Sequence, residues 1–176
     1  MELTEPEKAW LACAIDGEGS IAPSLGWYNG KPSFHPRILV FNTKLPFINE
    51  AERLLGTNMS TQKISVTTNK KVEYQAGLAD HKEVISILEQ IFPYLIINKE
   101  KAEVAIDWCK HRIEYYNMPY DTIDYCYYLI LKSLNSRQGK TIKEIGDEFI
   151  LKILAKCTNP SKYLNLVIEA MKSLEM

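Results

Sequence analysis

A helix that ends on two carboxylates, with glycines beside them, constrains this chain more than any other feature. Trp10 to Ile21 reads W-L-A-C-A-I-D-G-E-G-S-I. Upstream, Thr4-Glu5-Pro6-Glu7 forms a capping box, with Thr4 as N-cap and Glu7 reaching back. The helix is expected from about Pro6 to Ile15. Asp16-Gly17-Glu18-Gly19 is expected to end it, because glycine releases the backbone. Ala9, Ala12 and Cys13 fall at i, i+3 and i+4, a stripe of small side chains. Small side chains let two backbones approach closely, so this helix is suited to packing against a copy of itself. Two such ends side by side bring acids together near a two-fold axis. Acids at a helix C-terminus meet the negative end of the dipole, which invites a cation. Taken alone, the segment also reads as a solvated helix end with an ordinary glycine stop.

The pattern then changes to strands. Ser20 to Tyr28 and Phe34 to Asn42 flank Asn29-Gly30, a strong hairpin turn, and Pro36 marks the second strand as an edge or a bulge. A helix from Pro46 to Leu55 stops at Gly56. A second hairpin pairs Ser60 to Val66 with Lys71 to Leu78. In the latter, Val72, Tyr74, Ala76 and Leu78 alternate with Lys71, Glu73 and Gln75, the signature of one buried and one wet face. After Asp80 the chain reads as helices at 82–91, 99–112, 121–134, 141–157 and 161–174, punctuated by Pro93, Pro119 and Pro160. The order α-β-β-α-β-β-α predicts an α+β domain with a four-stranded antiparallel sheet, followed by C-terminal helices.

Leu11-Ala12-Cys13-Ala14-Ile15-Asp16-Gly17-Glu18-Gly19 resembles the LAGLIDADG signature of homing endonucleases. Three further stretches resemble that family in order and spacing: Val40-Phe41-Asn42-Thr43-Lys44, Phe92 to Lys99 leading into Ala102, and Leu134-Asn135-Ser136-Arg137-Gln138-Gly139-Lys140. The resemblance covers roughly residues 8–140 and implies a homing-endonuclease domain over 1–140, with 141–176 a helical extension packed on it. It implies a homodimer whose interface includes Ala9, Ala12, Cys13 and Asp16. It also implies a metal site made by Glu18 and the carbonyl of Gly17, with Asp16 a structural acid at the helix end. Cys13 stands where the family usually has glycine. Asn98 stands where it commonly carries a catalytic-site lysine; either the adjacent Lys99 substitutes, or cleavage is reduced or lost.

The implied activity is metal-dependent hydrolysis of both strands of DNA at a long, near-palindromic site. The alternative is a member that binds without cutting, as an intron-splicing maturase or a DNA-binding regulator. Hard carboxylate oxygens suit Mg²⁺, with Mn²⁺ a substitute. Glu18 is the expected metal ligand, Asn42 is expected to orient the attacking water, and Lys99 to offset transition-state charge. Base edges and phosphates are expected to meet the wet strand faces and nearby basic residues: Ser24, Tyr28, Ser33, His35, Arg37, Lys44, Thr61, Lys63, Lys71, Glu73, Gln75, Arg137 and Lys140.

Composition limits the rest. A net charge of −1 would not by itself suggest a nucleic-acid partner. Residues 20–74, however, hold Lys31, Arg37, Lys44, Arg53, Lys63, Lys70 and Lys71 against Glu50, Glu52 and Glu73, a locally basic stretch. Cys13, Cys109, Cys126 and Cys157 are widely spaced without a CxxC pair, so thiols that are buried or half-buried are expected rather than zinc or disulfides. His35, His81 and His111 lack metal-ligand spacing, and the tyrosines between Tyr115 and Tyr128 are expected to pack rather than stack on bases. With no apolar run long enough for a bilayer and no secretory signal pattern, an intracellular, membrane-free protein is expected.

Overall fold

The computed structural model describes residues 2–28, 31–57, 62–65, 72–116, 120 and 122–135. The Asn29-Gly30 turn, Thr61, Lys71, Arg137, Lys140, Cys157 and the helices expected beyond 140 lie outside the described residues. The elements follow one another as α1 (Glu5–Glu18), β1 (Gly19–Tyr28), β2 (Lys31–Asn42), α2 (Leu45–Leu55), β3 (Gln62–Ser65), β4 (Val72–Leu78), α3 (His81–Ile91), a 3-10 turn at Phe92–Tyr94, α4 (Lys99–Glu114) and α5 (Thr122–Leu134).

Local chemistry accounts for most boundaries. The backbone N–H and hydroxyl of Thr4 both donate to the Glu7 carboxylate, at 2.9 and 2.8 Å, which starts α1. Gly56 closes α2 in the left-handed region at φ 63°. Asp80 caps α3 by accepting from the N–H groups of Lys82 and Glu83. Val84, Ile87, Leu88 and Ile91 then bury one face of that helix.

The four strands form one antiparallel sheet in the order β1-β2-β4-β3. The pairs Ile21↔Ile38, Ile38↔Leu78 and Val40↔Ala76 lie on its buried face, all with at most 2% exposure. The helices cover that face, and Leu11, Ile15, Ile48, Leu54, Leu88 and Trp108 are wholly buried between the layers. Each such side chain contributes roughly 1.5–3 kcal/mol to stability.

Two expectations meet the structure differently. Strand β2 lies between β1 and β4, but at Pro36 it is an open edge, as expected. Its pairing with β4 begins only at Ile38, and Pro36 faces Pro23 across β1. Two prolines cannot exchange N–H···O bonds, so they occupy a non-hydrogen-bonded pair, where neither missing N–H costs a ladder bond. Second, α1 does not stop at Ile15 but runs on through Gly17 to Glu18. Its end is Gly19, extended rather than left-handed, whose N–H bonds the Ile15 carbonyl.

Candidate functional site

The end of α1 is locked to the start of α4. The Asp16 carboxylate accepts hydrogen bonds from the backbone N–H groups of Ile96 at 2.7 Å, Ile97 at 3.1 Å and Asn98 at 2.8 Å. Asn98 reciprocates: its buried carboxamide donates to the Ile15 carbonyl at 3.0 Å and to Asp16 at 3.2 Å. Unpaired donors ahead of one helix thus satisfy an acid at the end of another, and the Ile15 carbonyl, which also accepts from the Gly19 N–H, gains a second donor in return. Burial acts to raise the Asp16 pKa, but the N–H donors of Ile96, Asn98 and Ile97 outweigh it and hold the carboxyl below its usual range.

Glu18 has a different environment. It is the last residue of α1 and is exposed. Gly17 beside it is also exposed, and a Cβ built there would meet nothing within 4 Å. Gly19 is the reverse: a Cβ there would lie 2.5 Å from the Leu39 carbonyl oxygen and 2.9 Å from the Ile15 Cα. This glycine is required because strand β2 crosses directly against the turn, pairing Gly19 with Val40. The turn is braced from α5, where Asn135 donates to the Ile21 carbonyl at 2.9 Å and accepts from the Ser20 hydroxyl at 2.9 Å.

No family model and no curated protein matches the chain. Solved structures do. I-CvuI, a homing endonuclease in complex with a DNA target, is 16% identical with a TM-score of 0.57, over 85% of this chain and 95% of that one. I-Vdi141I, an archaeal intron-encoded homing endonuclease complexed with DNA, is 11% identical with a TM-score of 0.59, over 86% and 96%. I-GzeII, a LAGLIDADG homing endonuclease in complex with its DNA target, is 14% identical with a TM-score of 0.56, over 80% of this chain and 48% of that one. The chain has the LAGLIDADG homing-endonuclease fold.

Within this homing-endonuclease fold, the expected site residues divide. Glu18, Gly17 and Asn42 lie at the same end of the sheet, since Asn42 stands two residues beyond Val40, the register partner of Gly19. The Asn42 carboxamide oxygen accepts from the Lys44 N–H at 2.9 Å, which leaves its NH₂ group as the free end. The Lys99 ammonium lies 5.2 Å from the centre of the Phe92 ring. Lys101, which the sequence reading passed over, is half-buried. Burial lowers its pKa, and the Asp16 carboxylate opposes that shift.

Of the small stripe, Ala9 and Cys13 are exposed, but Ala12 is wholly buried in the chain's own core. The helix twist explains the correction: an outward seam follows i and i+4, which selects Ala9, Cys13 and Gly17. Cys13 is also an exposed thiol where a covered one was expected, whereas Cys109 and Cys126 are buried.

On the sheet, Ser24, Arg37, Glu73 and Gln75 are half-exposed, and Lys44 is exposed just beyond β2. The Arg37 Nε is buried and makes no hydrogen bond among the described residues. Ser33 does not face outward as expected. It is buried and bonds to His35 and, at 3.3 Å, to the Tyr120 hydroxyl. His35 likewise turns toward His81, with ring centres 5.1 Å apart, and toward Tyr120. Burial, then the Arg112 and Arg37 charges, lower the pKa of His35. Lys63 is the register partner of Tyr74, and Gln62 that of Gln75. The side chains of Tyr28 and Lys63 lie outside the described residues. Tyr120, Tyr127 and Tyr128 pack against the core as expected, whereas Tyr115 and Tyr116 are exposed.

The acidic tip of a single chain offers few donors for a divalent cation. Among the described residues, no three His, Cys, Asp or Glu cluster in a way that would hold a metal. Asp16 is already occupied by N–H donors, so one chain offers the Glu18 carboxylate and the carbonyl of Gly17 in the last helical turn. That hard-oxygen set suits Mg²⁺, which binds through one or two carboxylates, waters and substrate phosphates rather than a protein cage. No helix among the described residues is long and apolar enough to cross a membrane.

Proposed function

We propose that the protein is a site-specific, metal-dependent DNA endonuclease that acts as a homodimer on a long, near-palindromic duplex. The observation that carries this reading is the division of labour at the tip of α1. Asp16 is committed to the α4 clamp, while Glu18, one residue before the strand turn, is exposed and unclamped beside the open glycine. The fold it shares with I-CvuI and I-Vdi141I, each solved in complex with DNA, supports the same reading.

In a dimer, the exposed seam of Ala9, Cys13 and Gly17 lets two α1 helices approach and sets one Glu18 against each DNA strand. I-GzeII supports this stoichiometry, since this chain spans about half of its length. Bound Mg²⁺, or Mn²⁺ in its place, offsets phosphate charge and makes its water a better nucleophile. Glu18 and the Gly17 carbonyl would hold it. The NH₂ of Asn42 orients the attacking water, and the outward residues Ser24, Arg37, Lys44, Glu73 and Gln75 meet the duplex. Lys63, Tyr28, Thr61, Lys71, Arg137 and Lys140 extend that contact. A second reading, binding without cutting, is favoured by Asn98, whose carboxamide is spent on the end of α1 and supplies no positive charge.

The test is a plasmid library carrying randomised near-palindromic inserts, incubated with the full chain and Mg²⁺. The expected result is recovery of linear plasmids sharing one sequence, and no linear product from Glu18→Gln, which still retards that sequence on a gel. Retardation without linear product in either Mg²⁺ or Mn²⁺ selects the second reading. Equal cutting by Glu18→Gln rejects the site.

A further inference from the structure

Strand β2 pairs with β4 only from Ile38 onward, so from Lys31 to Arg37 no described strand meets that edge. A bare edge presents unpaired N–H and C=O groups and needs a cover. Two residues far away in the chain supply it. His81, at the start of α3, hydrogen-bonds with the Phe34 backbone, and its ring centre lies 5.1 Å from that of His35. Tyr120, between α4 and α5, touches residues of both faces of the strand. Its ring meets Phe34, a core residue, edge-on at 5.9 Å, and His35, of the opposite face, edge-on at 5.7 Å. The ring is steadied by the Arg112 guanidinium, 4.3 Å from its centre, which is paired with Asp124 at 3.1 Å.

Counting protons closes a circuit among three side chains. The Ser33 hydroxyl donates to the Tyr120 oxygen at 3.3 Å. With its one proton spent there, Ser33 accepts from His35 Nε2. The Tyr120 hydroxyl, 3.4 Å from His35 Nδ1, donates to that nitrogen. Both ring nitrogens of His35 are thereby used, and neither remains for a base edge. Across the ladder, Ser24 is the register partner of His35, shares its face and is half-exposed, while Gly26 stands opposite Ser33 with no side chain to offer.

We propose that Tyr120 is a positioning residue for sequence recognition: it withholds Ser33 and His35 from the duplex, so that ahead of Arg37 the hairpin reads bases from β1, through Ser24, and not from β2. The assignment rests on the DNA-binding part of the reading above and is independent of cutting. It gives the circuit two effects. Two polar side chains of β2 are silenced, and the open end of β2, on which β1 is paired from Gly19 to Tyr28, is held where Ser24 can meet a groove.

The first test needs no DNA. In protein carrying ¹⁵N-labelled histidine at pH 7, His35 is expected to bear its proton on Nε2, and Tyr120→Phe, which keeps the ring, should shift the Nδ1 signal of His35. An Nδ1 signal that ignores Tyr120→Phe overturns the circuit. The second test recovers the preferred site from the randomised library by gel retardation and measures affinity for each of its single-base-pair variants. Ser24→Ala is expected to lose about tenfold discrimination at one base pair of each half-site. Ser33→Ala and His35→Gln should relax none, whatever their overall affinity. Tyr120→Phe should create a preference of about fivefold at a base pair that the unmodified chain ignores, as His35 is released. Relaxation in His35→Gln or Ser33→Ala, an unaltered profile in Tyr120→Phe, or an unaltered profile in Ser24→Ala overturns this proposal alone. Failure to retard any library sequence overturns the DNA-binding reading and this proposal with it.

Discussion

Asn98 and Asp16 hold each other twice, through the Asn98 backbone N–H at 2.8 Å and its side-chain NH₂ at 3.2 Å, both to the same carboxylate oxygen. Because the folded pKa of Asp16 is held below its ordinary value of 3.8, the sign of the linkage follows. The clamp's contribution is fully present above about pH 4 and is lost as pH falls through the folded value. Urea melts at pH 7 and at pH 3 are expected to show a smaller pH dependence in Asp16→Asn than in the unmodified chain. Asn98→Ala should cost about 1–3 kcal/mol at pH 7, since it removes the side-chain hydrogen bonds to the Ile15 carbonyl and the Asp16 carboxylate. Equal pH dependence in Asp16→Asn would contradict the clamp.

His81 reports acid in a different window. Burial, then the His35 and Arg112 charges, outweigh Asp80 and a hydrogen bond with the Phe34 backbone and push its pKa down to about 4. The unfolded imidazole binds protons more readily, so the stability tied to a neutral His81 is complete above pH 6.5 and declines as pH falls toward 4. Thermal melts between pH 7 and 4 should fall less steeply in His81→Phe, and an NMR titration should find the His81 ring still neutral at pH 5.5. A ring that titrates near 6.5 would refute this placement.

Asp124 and Arg112 form a buried ion pair at 3.1 Å, and Asp124 also accepts from the Trp108 indole at 3.0 Å. Asp124→Ala should therefore cost about 3–5 kcal/mol, because it removes the carboxylate that faces a buried guanidinium. Chemical denaturation measures this directly; a loss under about 1 kcal/mol would mean the pair is solvated.

The two glycines of the motif should respond in opposite ways. Gly19→Ala drives a methyl into the backbone of Leu39 and Ile15, with loss of about 1–3 kcal/mol. Gly17→Ala meets open space and replaces a helical glycine, so the isolated chain should gain about 0.5–1 kcal/mol. Gly17→Trp should weaken self-association in light scattering while the melting temperature holds. An unchanged oligomer in Gly17→Trp would move the interface off α1.

Local chemistry accounts for why so many elements were readable. The capping box at Thr4 and Glu7, the left-handed stop at Gly56 and the alternation through Val72 and Leu78 act over a few residues, so the sequence displays them whole. The acid pair was readable too, though the roles of its neighbours were not. Ala12 and Cys13 look alike as small residues; which one faces outward depends on the rotation of α1 against the sheet. Ser33 and His35 read as wet-face residues by alternation alone, until Tyr120 and His81, distant in the chain, closed over them.

By itself, the sequence determined the order of helices and strands, the turn chemistry and the acidic end of the first helix, since these depend on periodicity, caps and glycine spacing. Only the tertiary structure decided that Asp16 is spent on α4 and that Asn98 answers it. The physical reason is distance along the chain. Each of these contacts joins groups about eighty residues apart, through donors that an extended strand of letters does not aim anywhere.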